Sequence, residues 1–108
     1  MLQLESVATE LENLCKRYKV KRLFLFGSAL TERFDEKTSD VDVLVEMLPM
    51  PPLRKGECLT RFWDELEDLF EHKVDLLTPE SLRNPYLIRE IERTKSLIYD
   101  SQGAEISV

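Results

Sequence analysis

Residues 25–46 read LFGSALTERFDEKTSDVDVLVE, and this stretch decides the fold. It opens at the end of an apolar run, Leu23-Phe24-Leu25-Phe26, which stops at Gly27 and Ser28; it closes in a second apolar run that begins with Asp40 and Asp42. A strand turns successive side chains to opposite faces, so Asp40 and Asp42, two apart, lie on one face while Val41, Val43 and Val45 go to the other. Two carboxylates pointing the same way repel, and one keeps its proton unless a divalent cation lies between them. Oxygen ligands of this kind suit magnesium or manganese, which bind through one or two carboxylates plus the phosphates of a substrate. Asp-x-Asp alone is common and is ordinarily an exposed strand edge. The upstream glycine and serine make it specific.

Gly27 ends the first strand, where a missing side chain lets a phosphate approach the backbone. The residues from Ser28 to Glu32 can form a turn of helix, and Ser28 would then offer a hydroxyl and backbone N–H groups at a helix start, an anion site. If the two strands run antiparallel, the end of the first lies beside the start of the second. Ser28 then faces Asp40 and Asp42, and phosphate cradle and metal site coincide.

Working outward, Leu4, Val7, Leu11, Leu14, Cys15 and Tyr18 recur at spacings of three and four with charged residues between them, an amphipathic helix that packs on the sheet. The first strand is expected over Lys21 to Phe26 and the second over Asp40 to Glu46. Met47 to Gly56, with three prolines, reads as a loop. Its Met47, Leu48, Met50 and Leu53 either fold onto the core or belong to a partner surface, and Arg54 and Lys55 are solvated or reach phosphates. Leu59, Phe62, Trp63, Leu66, Leu69 and Phe70 form the apolar stripe of the next helix, read as core. The third strand, Lys73 to Leu77, puts Val74 and Leu76 on one face and Asp75 with Leu77 on the other. Asn84 and Pro85 cap a helix that runs to about Lys95 and buries Leu87, Ile88 and Ile91. Leu97 to Tyr99 add a short strand, and the chain from Ser101 is expected to fray. The expectation is a single α/β (α+β) domain over residues 1–100, a mixed sheet of three or four strands packed with helices, followed by a frayed tail over 101–108.

A glycine and serine after an apolar strand, then Asp-x-Asp in a second apolar strand, resemble the DNA polymerase beta type nucleotidyltransferase superfamily. Within it the text LFGSALTERFDEKTSDVDVLVE looks like the minimal nucleotidyltransferases, small proteins often paired with a HEPN-domain partner. Asp75 in HKVDLLTPESL matches the family's third aspartate, and the resemblance runs from about Val20 to Tyr99. Where many minimal members are rich in arginine and glycine after the serine, this chain has Ala29, Leu30, Thr31 and Glu32; Arg33 and Lys37 are then the candidate basic groups for the distal phosphates. The resemblance implies ATP as donor, two magnesium ions held by Asp40, Asp42 and Asp75, Gly27 and Ser28 at the nucleotide, and transfer of AMP to a hydroxyl, on a HEPN partner in the antitoxin members.

Composition bounds the rest. With 108 residues and a formal charge of −6, the chain offers one core and no basic face, which argues against bulk nucleic-acid binding and a polymerase role. Two cysteines and one histidine make no zinc set, so reduced thiols in a cytoplasmic protein are expected. No signal peptide or apolar span is read, hence no membrane. The alternatives are a non-catalytic antitoxin that silences a HEPN ribonuclease by contact, and transfer to a small molecule, which in relatives takes an additional domain. A homo-oligomer is compatible with all three.

Overall fold

The apolar run before Gly27 becomes the middle strand of a five-stranded sheet in the computed structural model, which describes residues 4–27, 40–103 and 105–106. β1 (Val20–Phe26) lies between β2 (Val41–Met47) and β4 (Ser96–Asp100), antiparallel to both. Outside β2 runs β3 (Val74–Leu77), parallel to it; outside β4 is the two-residue β5 (Glu105–Ile106). The order is β3-β2-β1-β4-β5, a mixed sheet.

Alternation along the strands divides the core in two. On the larger face Leu23 and Leu25 of β1, Val41, Val43 and Val45 of β2 and Val74 of β3 pack beneath two helices, α1 (Ala8–Arg17) through Leu11, Leu14 and Cys15, and α2 (Pro52–Phe70) through Phe62, Leu66 and Phe70. The other face is smaller: Phe24, Phe26 and Leu44 meet Ile91 of α3 (Pro85–Thr94), with Leu77 and Leu82 at its edge. β1 is buried on both faces, as its nearly unbroken apolar text requires. Arg17 pairs with Glu65 at 3.1 Å and the Tyr18 hydroxyl donates to the same carboxylate, tying α1 to α2. Cys15 and Cys58 are free thiols, the first buried. Among the described residues no helix is long and apolar enough to cross a membrane.

Several boundaries differ from the sequence reading. The expected loop from Met47 to Gly56 shortens to residues 48–51, because α2 begins at Pro52. Proline at the first helical position loses only an N–H that the helix could not have bonded, so it starts this helix. Trp63 is 41% exposed, outside the core assigned to its stripe, and Leu87 likewise faces water at 41%. The tail expected to fray from Ser101 returns instead as β5, which pairs Ile106 with Tyr99 and Glu105 with Asp100. Asn84 does cap α3, its side chain accepting from the N–H groups of Tyr86 and Leu87.

Phe62 is fully buried between sheet and helices. Phe62→Ala should therefore cost about 3–5 kcal/mol in urea unfolding, whereas Leu87→Ala should stay within about 0.5 kcal/mol.

Candidate active site

Two registers bring the candidate residues together. The antiparallel pairing of β1 with β2 sets Phe26 opposite Asp42, so Gly27 leaves β1 directly beside that aspartate. The parallel pairing of β2 with β3 sets Asp42 beside Asp75. Side chains at paired positions share a face, and Asp42 and Asp75 emerge on the smaller face, one step beyond Leu44 and Leu77. This is the side that α3 covers, opposite α1 and α2.

Gly27 has φ +72°, and a Cβ built there would stand 2.5 Å from Oδ2 of Asp42. Two independent constraints thus exclude a larger residue: the left-handed backbone and the carboxylate against it. The glycine lets the chain turn off the strand while the Asp42 carboxylate occupies the space a side chain would take.

Asp42 is half-buried and Asp75 exposed, and the two are hydrogen-bonded to each other. Burial, then the charges of Asp75 and Asp40, push the Asp42 carboxyl up to about 6. Close carboxylates without a cation share a proton, the behaviour expected of a site built for a positive charge. Among the described residues no three His, Cys, Asp or Glu side chains stand close enough together to hold an ion. The Asp42–Asp75 pair, with the charge of Asp40 felt beside it, fits a cation that takes its remaining ligands from substrate phosphates.

Ser28, Arg33 and Lys37 lie outside the described residues. Lys55 pairs at 3.1 Å with Glu80, in the turn that follows β3. The sequence reading gave no part to the start of β4. Ser96 and Val43 both pair with Leu25, so β4 begins at the end of the sheet where the carboxylates are. Lys95, just before it, holds its ammonium 4.5 Å from the centre of the Phe24 ring and 3.0 Å from Glu92. Its only signal in the sequence is its place between helix and strand.

Among the described residues a glycine turn lies against paired strand carboxylates in a mixed sheet, chemistry that suits a divalent cation carrying the phosphates of a substrate. The chain belongs to the nucleotidyltransferase domain family, whose model matches residues 8–98. A Methanocaldococcus jannaschii protein provisionally named a protein adenylyltransferase is 40% identical over 88 residues, covering 82% of this chain and 84% of the relative. A second protein so named from the same organism is 40% identical over 84 residues, covering 78% of this chain and 80% of its own. A solved structure provisionally described as a minimal nucleotidyltransferase superposes with TM-score 0.67 at 26% identity, over 86% of this chain and 90% of that one. The same fold occurs in a toxin–antitoxin crystal structure with AMP-PNP, at TM-score 0.61 and 18% identity, over 88% of this chain and 74% of that chain. It recurs in a Shewanella oneidensis complex of a tri-AMPylated HEPN toxin with an MNT antitoxin, at TM-score 0.53 and 20% identity, over 88% and 74%. The protein is a nucleotidyltransferase.

Gly27→Ala should displace the Asp42 carboxylate and lower turnover at least about tenfold, with a loss of about 1–2 kcal/mol in stability from the left-handed backbone. Nucleotidyl transfer and urea unfolding measure the two effects. For Asp42 the sign follows from its raised pKa: between 3.8 and about 6 the folded state holds more protons than the unfolded one, so stability falls as pH rises through that window. Asp42→Asn, without metal, is expected to melt above the wild type at pH 7, with the gap closing towards pH 4; equal melting temperatures at both would remove the repulsion from the account.

Proposed function

We propose that this nucleotidyltransferase moves AMP from ATP to a hydroxyl of a partner protein, a HEPN-domain toxin that it silences as antitoxin. The observation that carries the reading is the contact of Asp42 with both Asp75 and the bare backbone of Gly27. Phosphate can approach the glycine turn while the carboxylates sit alongside. The family membership supports the reaction class, the names of the archaeal relatives support a protein acceptor, and the AMPylated toxin in the structural neighbour supports its kind.

In the proposed reaction the acceptor oxygen bonds to the α-phosphorus as the bond from that phosphorus to its bridging oxygen breaks, and pyrophosphate leaves. Asp75, the most exposed of the three carboxylates, accepts the hydroxyl proton as it is lost. Gly27, with Ser28, cradles the triphosphate. Asp40 with Asp42, and Asp42 with Asp75, would hold magnesium, two ions in the family pattern, with triphosphate oxygens as the remaining ligands; when bound, the metal neutralises the triphosphate and makes the hydroxyl more acidic.

The exposure of Asp75 suits a folded acceptor. Docking sets the hydroxyl in line with the α-phosphate and converts an encounter in solution into a local step. Met47 to Leu53, a candidate docking surface by sequence, is at the wrong end of the sheet. Met47 lies five residues along β2 from Asp42, roughly 16 Å at the rise of a strand. An acceptor has to arrive at the opposite end, where β2 and β3 begin.

Co-expression with a HEPN-domain toxin, followed by intact-mass measurement, should give a partner heavier by one or more AMP units. With purified components, EDTA should abolish the increment, as should Asp40→Asn. A partner that stays unmodified yet is silenced equally by the Asp40→Asn protein would leave a contact antitoxin in place of the transferase.

A further inference from the structure

β3 is the edge strand of the sheet, and it carries Asp75. In a parallel pair, alternate residues turn both backbone groups towards the neighbouring strand. The Val41 N–H donates to the Lys73 carbonyl at 2.9 Å, which fixes the phase: Lys73 and Asp75 address β2, and Val74 turns its N–H and C=O away from it. An outer edge of this kind is ordinarily left to water or to another strand. Here α2 takes it. The Trp63 indole N–H donates to the Val74 carbonyl at 2.7 Å, and the Val74 N–H donates to Oε2 of Glu67 at 2.8 Å.

Trp63 and Glu67 are four apart, one turn of the same helix face, so together they span the two backbone groups of one residue as an adjoining strand would. Packing of its ring does not account for Trp63, which remains 41% exposed; its N–H is the part aimed inward. The Val74 carbonyl belongs to the peptide that leads into Asp75. Fixing that peptide plane fixes the direction in which the Asp75 side chain leaves the strand. Asp75 needs such a hold, because it meets a carboxylate of like charge, and an untethered edge strand would yield to the repulsion.

We propose that Trp63 and Glu67 are positioning residues, which clamp Val74 from outside the sheet and so hold Asp75 in register with Asp42. The proposal rests on the role given to Asp75 above. Neither side chain touches a reacting atom, and their effect is transmitted through one peptide unit. The nucleotide meets Gly27, Asp40 and Asp42 on elements the clamp does not touch, so its binding is expected to survive loss of the clamp while the chemical step does not.

The test uses the full chain with its HEPN partner as acceptor. Trp63→Phe, which keeps an aromatic ring and removes the donor, and Glu67→Ala should each lower kcat about ten- to a hundredfold, with KM for ATP changed less than about twofold. Glu67→Gln retains an acceptor oxygen and should recover most of the rate. Leu69→Ala, on the same helix and packed against the core without bonding β3, should lose melting temperature without the loss of kcat. Amide exchange followed by NMR supplies a readout that needs no turnover: Val74 and Asp75 should exchange faster in Glu67→Ala and at the wild-type rate in Glu67→Gln. Wild-type kcat in Glu67→Ala, or a Gln variant as impaired as the Ala variant, overturns the proposal. A wild-type protein that transfers no AMP refutes the proposed reaction instead, and the exchange rates then decide whether the clamp exists.

Discussion

Two carboxylates held against each other by strand pairing are the constraint on which the rest of the fold depends. Asp42 and Asp75 share a register in a parallel ladder, and their mutual repulsion is opposed by the hydrogen bonds and packing that keep β2 beside β3. Behind Asp42, the valines of β2 are buried beneath two helices, so this strand cannot shift by one residue without turning its apolar side out and its acids in. β3 has less to anchor it, being four residues long and at the edge. That contrast is why side chains from α2 are needed where no further strand exists.

Much of this was legible in residues 20–46 and 73–77. Alternation correctly divided the β2 valines from Asp42, and Val74 from Asp75, because strand periodicity depends on local geometry alone. The antiparallel approach of β1 and β2 could be stated as a condition and turned out to hold. Of the residues named for the site, Gly27 lies against Asp42, Asp42 pairs with Asp75 across β2 and β3, and the charge of Asp40 reaches Asp42. The proximity of Gly27 to Asp42 follows from the antiparallel condition, since the end of β1 then lies beside the start of β2; the left-handed turn at Gly27 could not be read.

What escaped the sequence reading was set by tertiary context. Proline in Met47–Gly56 was taken to exclude helix, yet the same residue begins one when it falls at the first position, and only the downstream apolar stripe distinguishes the cases. Trp63 counted as one more apolar residue at helical spacing, although its nitrogen, and not its ring, determines its place. Leu87 has the spacing of a core residue, but α3 covers a small face and buries only Ile91 of its own residues against it. The pairing of β5 with β4 depends on a partner strand that a local reading does not contain.

The parallel pairing of β2 with β3 also has a kinetic side. Antiparallel neighbours such as β1 and β2 can zip from the segment that joins them, whereas β3 can dock on β2 only after the nineteen residues of α2 have crossed the sheet. Asp42 and Asp75 therefore meet late, once the crossover has closed a long loop. A chain still emerging from the ribosome, with β1 and β2 already paired, has a glycine turn and two aspartates but no completed acid pair. The acid pair on which the proposed transfer rests is in this way completed only in the finished fold.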